Sequence, residues 1–167
     1  IKSIFYQPYR KQQAILQKYS WDFSLSYKNV IQFNFTAPAG IFNPYVSIGP
    51  HGITELIFDN NISVKNLDII DLGCGSGIIG ICSIFKGAKS VSFSDIDEKI
   101  KVIQKNSLYD TSSCSIHIQN LLNNTKKKFD VIFFNYFINF TNDAYLSSSQ
   151  IGNSVDFFRS KVFPDIE

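Results

Sequence analysis

The sequence predicts an α/β protein whose core is a doubly wound, mostly parallel sheet, preceded by a helical and extended N-terminal segment. Three observations lead there. From residue 67 onward, short apolar runs alternate with helix-like stretches. A glycine-rich turn, "DLGCGSGIIG" at 71–80, joins the first of those runs to the first helix. Two acids, Asp71 and Asp95, close the first two runs, at the end of the strands where open α/β sheets gather their ligands.

Residues 8–20, "PYRKQQAILQKYS", have modest amphipathic spacing and predict a helix, and 28–35, "KNVIQFNF", alternate enough to predict a short strand. Pro38, Gly40, Pro44, Gly49, Pro50 and Gly52 then interrupt the chain and predict a structured loop or lid, after which "ITELIFDNNI" resumes as a helix. "LDIIDLG" has the continuous apolarity of a strand covered on both faces. "SGIIGICSIFKG" follows as a helix stopped at Gly87, and "SVSFSDI" as the second core strand. In "DEKIKVIQKNSLYD" the spacing puts Ile100, Ile103 and Leu108 on the buried side of a second helix, with Asp97 as its N-cap. "CSIHIQNLL" and "FDVIFFNYF" complete the strands, and "VDFFRSKVF" begins a later helix. The expected division is an N-terminal extension and loop over 1–50 and a core over 51–167 that continues past the abrupt end "VFPDIE".

Composition narrows the class. A chain of 167 residues with 44% hydrophobic and 18% charged residues reads as one globular domain with a sizeable core. A net charge of +2 is too weak to argue for nucleic acid on electrostatics alone. Lys126, Lys127 and Lys128 read as a solvated loop, a phosphate contact being the other reading. The 3 cysteines, Cys74, Cys82 and Cys114, lack any CxxC spacing, which speaks against a disulfide scaffold or cysteine zinc site and for a reducing compartment. His51 and His117 are isolated, so no metal site is expected, and both read as structural. No apolar run is long enough to span a membrane and no signal peptide is visible, so a cytoplasmic protein is expected. There is no methionine, so spacings along the chain are read as lower bounds.

Glycines at 73, 75 and 77 allow the backbone to turn tightly and come close to a ligand, and the helix that follows offers unpaired N–H groups. Two ligand classes compete for such a turn. Gly75-x-Gly77-x-x-Gly80, with Asp95 downstream, formally matches the dinucleotide fingerprint. In that fingerprint, however, the first glycine follows the strand directly, whereas here Asp71-Leu72-Gly73 intervenes.

The longer pattern of acid-x-Gly-x-Gly-x-Gly after the first strand resembles motif I of the class I S-adenosylmethionine-dependent methyltransferases, which share a Rossmann-like fold. The resemblance implies S-adenosylmethionine as cofactor, bound by Asp71, Gly73, Cys74, Gly75 and Gly77. Asp95 would take the ribose hydroxyls, with Ile96 beside it. Asn120 and Leu121 occupy the adenine-contacting position, where the family often has an acid. Asn106 matches an asparagine often found near the end of the helix after the ribose acid.

"FDVIFFN" followed by aromatics resembles motif IV of the small-domain branch, whose members methylate planar nitrogen in release-factor glutamine or in nucleic-acid bases. By that resemblance Asn135 would orient the acceptor nitrogen, with Tyr136 stacking beside it. The family usually continues Asn-Pro-Pro-Tyr, whereas here Tyr136 and Phe137 replace the prolines; a strand-end turn with packing aromatics is the competing reading. "IGPHGITELI" and "GNSVDFFRSKVFP" are distantly similar to the segments flanking the catalytic motifs of the release-factor subgroup. A protein substrate such as a translation factor is therefore expected ahead of RNA, with no membrane partner and an open oligomeric state. The alternatives are a degenerate S-adenosylmethionine-binding scaffold and a nicotinamide-dependent oxidoreductase.

Overall fold

The structure, a computed structural model, describes residues 15, 18–28, 30–41, 43, 44, 48–119 and 127–134. The chain opens with an antiparallel hairpin, β1 over Trp21–Tyr27 and β2 over Val30–Ala37. In β2, Phe33, Phe35 and Ala37 are buried while Asn34 and Thr36 face out, the alternation of a sheet covered on one side. The strand expected near 28–35 is thus the second arm of a hairpin whose first arm the sequence reading missed. The helix expected over 8–20 lies almost wholly outside the described residues.

Helix α1 spans Ile48–Phe58. It begins earlier than expected and absorbs Gly49, Pro50 and Gly52, which the sequence assigned to a loop. Pro50 is tolerated because it stands in the first turn, where a helix has no partner for the N–H that proline lacks. The helix also stops sooner. Asn60 takes the left-handed conformation (φ 60), and the N–H groups of Asn61 and Ile62 both return to the Leu56 carbonyl. A single left-handed residue closing the last turn in this way is a common helix stop.

The core sheet follows as β3 Asp68–Leu72, β4 Ser90–Asp95, β5 Cys114–Ile118 and β6 Val131–Phe134. All pairings are parallel and the spatial order is β5-β4-β3-β6. The chain steps outward from β3 to β5, then returns to place β6 on the other side of β3. That reversal creates a crevice at the carboxyl ends of β3 and β6, the place where such sheets bind ligands.

Helix α2, Ile78–Phe85, crosses from β3 to β4 and buries Ile78, Ile79, Ile81 and Cys82. It packs between α1 and the sheet. Gly87 (φ 85) ends it, as the sequence predicts. The crossover from β4 to β5 is a 3-10 helix, Glu98–Lys105, rather than an α-helix. Its three-residue period stacks Ile100 and Ile103 one above the other, and both are buried. Asp97 caps it by accepting the Lys99 N–H, as expected.

The hairpin is not a separate unit. Leu25, Phe33, Phe35 and Ile41 share one apolar cluster with Ile57, Ile79 and Phe93. The described part of the N-terminal extension is therefore built into the core.

Candidate functional site

The glycine-rich turn leaves β3 at Leu72 and enters α2 at Ile78. Gly73, Gly75 and Gly77 all have positive φ, at 67, 52 and 78°. Three left-handed residues alternating with non-glycines cannot be copied cheaply by side chains bearing a Cβ. The turn is also anchored. The N–H groups of Gly73 and Cys74 both donate to the Ser94 carbonyl, at 2.8 and 3.1 Å, which fixes the turn to the end of β4. Two close approaches need missing side chains. A Cβ on Gly77 would stand 2.5 Å from Ile103 Cδ1, and one on Gly80 would stand 2.2 Å from Phe93 Cε1.

Asp71 and Asp95, which the sequence singles out together, prove to have different surroundings. Asp71 is buried beneath the turn, where its Oδ2 accepts the Gly80 N–H at 3.0 Å. Removal from water pushes its carboxyl up to about 7; the Gly80 N–H opposes the rise and the nearby Asp95 carboxylate adds to it. Its contact in the structure ties the first strand to the first helix.

Asp95 stands at the open end of β4. Its Oδ2 accepts the Gly75 N–H at 2.8 Å, and its Oδ1 accepts from Ile96 at 2.7 Å and Asp97 at 3.2 Å. An ionised carboxylate has about four acceptor directions. Oδ2 therefore retains one for a ligand hydroxyl, whereas Oδ1 would first have to release a backbone N–H, the longer bond from Asp97 being the weaker. Ile96, next in the chain, is 67% exposed, an unusual state for a large apolar side chain beside a glycine turn.

Cys74 lies within the turn but is buried, and its thiol is pushed well up by desolvation, then by the carboxylates of Asp71 and Asp95. That excludes a thiolate nucleophile here at neutral pH. His51 is exposed on α1, and His117 meets the Ser115 hydroxyl at 3.0 Å within β5. Asn120, Leu121, Asn135 and Tyr136 lie outside the described residues, as do the later helix and Lys126 of the basic run, while Lys127 donates to the Ser90 hydroxyl at 2.8 Å and pairs with Asp68 at 3.7 Å. The structure thus brings together Asp71, Gly73, Cys74, Gly75, Gly77, Asp95 and Ile96.

Sequence reasoning missed the contribution of residues 38–41. Ile41 is buried, and its Cγ2 lies 3.7 Å from where a Gly75 Cβ would be. Gly40 sits against the side chain of Lys99. Nothing in the sequence links these residues to a turn more than thirty positions away; only the hairpin fold brings them there. A cavity of about 410 Å³ lies elsewhere, between β2 and the 3-10 helix, lined by Asp22, Asn34, Thr36, Lys105 and Asn106 among others and by no residue of the turn. Among the described residues, no helix is long and apolar enough to cross a membrane.

Comparison with known proteins places the chain in a family. The ribosomal protein L11 methyltransferase family (PrmA) matches residues 47–147. A candidate protein N5-glutamine methyltransferase of Methanocaldococcus jannaschii is 36% identical over 81 residues, 48% of this chain and 41% of that protein. A ribosomal protein L11 methyltransferase of Thermoanaerobacter pseudethanolicus is 30% identical over 132 residues, 77% of this chain and 41% of that one. The crystal structure of a ribosomal protein L11 methylase from Lactobacillus delbrueckii subsp. bulgaricus is 32% identical, with a TM-score of 0.42 over 49% of this chain and 45% of its own. The chain spans about two fifths of the length of the curated relatives it matches.

Proposed function

The chain belongs to the ribosomal protein L11 methyltransferase (PrmA) family, and from that premise we propose that it carries the cofactor-binding core of an S-adenosylmethionine-dependent methyltransferase acting on a protein nitrogen. The observation that carries the reading is the pairing of a three-glycine turn with Asp95 across the carboxyl ends of β3 and β4. The family match weighs against the nicotinamide alternative left open by the formal glycine fingerprint.

The residues present fit such a cofactor. Gly73 and Gly75 turn the backbone at positive φ, and a Cβ on Gly75 would meet only Ile41 within 4 Å among the described residues. Asp95 Oδ2 has an acceptor direction to spare for a ribose hydroxyl. Exposed Ile96 offers an apolar face for a flat base. Asp71, beneath the turn, holds β3 to α2 and so keeps the glycines in register. When bound, S-adenosylmethionine supplies an electrophilic methyl group on a sulfonium. The chain's part is then to hold the acceptor nitrogen in line and keep water out, since alignment and fixed dipoles supply most of the acceleration for such a transfer.

Strand β6 ends at Phe134, in register with Leu72, so the fourth core strand finishes beside the turn. Asn135 is the next residue in the sequence, and we assign it the substrate-facing role, with Tyr136 flanking the acceptor. A protein acceptor, a glutamine amide first, is supported by the relatives, one described by its action on ribosomal protein L11 and the other as a protein glutamine methyltransferase. The small net charge of +2 supports the same choice over RNA.

Calorimetry with S-adenosylmethionine and with NAD tests the cofactor; binding of NAD alone would sink the proposal. Transfer of labelled methyl to cell extract tests the acceptor. The label is expected in protease-sensitive material, and label removed only by nuclease would overturn the protein assignment.

A further inference from the structure

The contacts around the glycine turn form a closed circuit that includes the N-terminal hairpin. Gly75 N–H donates to Asp95, and the same carboxylate accepts the Asp97 N–H. Asp97 in turn accepts from Lys99 twice, from its backbone N–H at 2.9 Å and its ammonium at 3.2 Å. The aliphatic stem of Lys99 then runs over Gly40: a Cβ there would lie 3.2 Å from Cδ, 2.9 Å from Cε and 2.8 Å from Nζ. Gly40 is followed by Ile41, whose Cγ2 returns to Gly75 at 3.7 Å from the position of its absent Cβ.

The segment that closes this circuit is itself held at both ends. Ala39 N–H donates to the Ser20 hydroxyl before β1, and Ile41 N–H donates to the Pro38 carbonyl in the tight turn that Gly40 permits at φ 85. Its position is thus set by the hairpin, while its side chains meet the turn and the ribose-side acid's neighbours.

We infer that residues 38–41 form a strap closing one side of the cofactor mouth, and that Gly40 and Ile41 are positioning residues through which the hairpin sets affinity for S-adenosylmethionine. This rests on the cofactor reading above. Ile41 limits how far the peptide at Gly75 can shift away from Asp95. Gly40 lets the Lys99 stem lie flat, which keeps Asp97 and hence the Asp95 carboxylate in place. Loss of either loosens the mouth without removing any group that would touch the cofactor's reacting atoms.

The test is calorimetry of the full chain with S-adenosylmethionine, alongside melting temperature and circular dichroism. Gly40→Ala, on an exposed turn, and Ile41→Ala are expected to weaken binding about fivefold or more, in the range of ordinary site-to-site coupling. Ile41→Val should restore most of the affinity. Gly40→Ala combined with Lys99→Ala should be less than additive, because one contact is removed twice. Leu25→Ala provides the control, being buried in the same hairpin but away from the strap. Should Leu25→Ala weaken binding as much as Ile41→Ala, the effect is general destabilisation and the inference fails. Wild-type affinity in both strap variants also overturns it, while leaving the cofactor reading intact. Absence of binding by the wild-type chain overturns both.

Discussion

The backbone N–H of Gly75 donates to Oδ2 of Asp95 across 2.8 Å, joining residues 20 positions apart in the chain. The bond connects the apex of the glycine turn to the end of the neighbouring strand. It leaves the carboxylate at the open end of β4, with part of its acceptor capacity already committed to backbone. An acid so placed shapes the turn, and its proposed role toward the cofactor can be tested apart from that one.

Asp95→Asn separates those roles from simple charge. The amide can offer one acceptor, but its NH2 would then face a backbone N–H. We expect a stability loss of about 1–2 kcal/mol from the broken bond. We also expect S-adenosylmethionine affinity to fall by about tenfold or more, as a charge-assisted contact is lost. Urea unfolding and calorimetry measure the two effects; unchanged affinity in a folded variant would remove Asp95 from the cofactor site.

Two glycine-to-alanine substitutions should act with opposite sign. At Gly80 the new methyl would lie 2.2 Å from the ring of Phe93, which is completely buried and cannot swing away. Overpacking of this kind costs about 1–3 kcal/mol. Phe93→Leu in the same chain should recover part of that loss. Gly52 lies inside α1 with nothing among the described residues within 4 Å of a new Cβ. Gly52→Ala should therefore stabilise by roughly 0.5–1 kcal/mol through helix propensity. Denaturant midpoints at constant slope report both.

Cys74, Cys82 and Cys114 are all buried and unpaired. Desolvation, and then the Asp71 carboxylate, raise the thiols of Cys74 and Cys82 above their ordinary range. A disulfide exchange reagent near pH 8 should therefore react slowly with the native chain but rapidly with all three cysteines once it is unfolded. Rapid stoichiometric labelling of Cys74 in the native state would show that the turn opens.

The core was readable because its signals are local. The short Ile-Ile-centred run at 68–72 and the Ser-Val-Ser-Phe alternation at 90–95 mark strands, and glycines at 73, 75 and 77 announce a turn with positive φ. Asp97 was legible as a cap because capping spans only two or three residues. What escaped was set by distance or by compensation. Pro50 signals a break, yet the first turn of a helix tolerates it. Trp21–Tyr27, by contrast, alternates apolar and polar residues throughout, so the first arm of the hairpin carried its own strand signal and was overlooked. Ile41 at Gly75 is a tertiary contact with no mark in either segment. Asn135, legible only through a family pattern, stays a proposal because it falls outside the described residues.

Burial of Asp71 makes the stability of the chain fall as pH rises. Its carboxyl is raised from an ordinary 3.8 to about 7, mainly by burial. An unfolded chain gives up this proton near pH 4, whereas the folded chain keeps it until about 7. Between those values the native state holds one more proton than the unfolded state, so raising the pH favours unfolding. Stability should fall across this window by up to about 1.4 kcal/mol per pH unit and flatten above it. Asp59, Asp68 and Asp110 have the opposite sign, being held below the usual carboxylate range by hydrogen bonds to neighbouring side chains. Their contribution is present above pH 4 and is lost only on acidification below it, so it does not disturb the window. Asp71→Asn keeps an acceptor for the Gly80 N–H and removes the proton. Urea unfolding of both chains from about pH 5 to 8 should show a descending wild-type curve and a flatter variant. Parallel curves would place the Asp71 carboxyl in contact with water, contrary to its position beneath the turn.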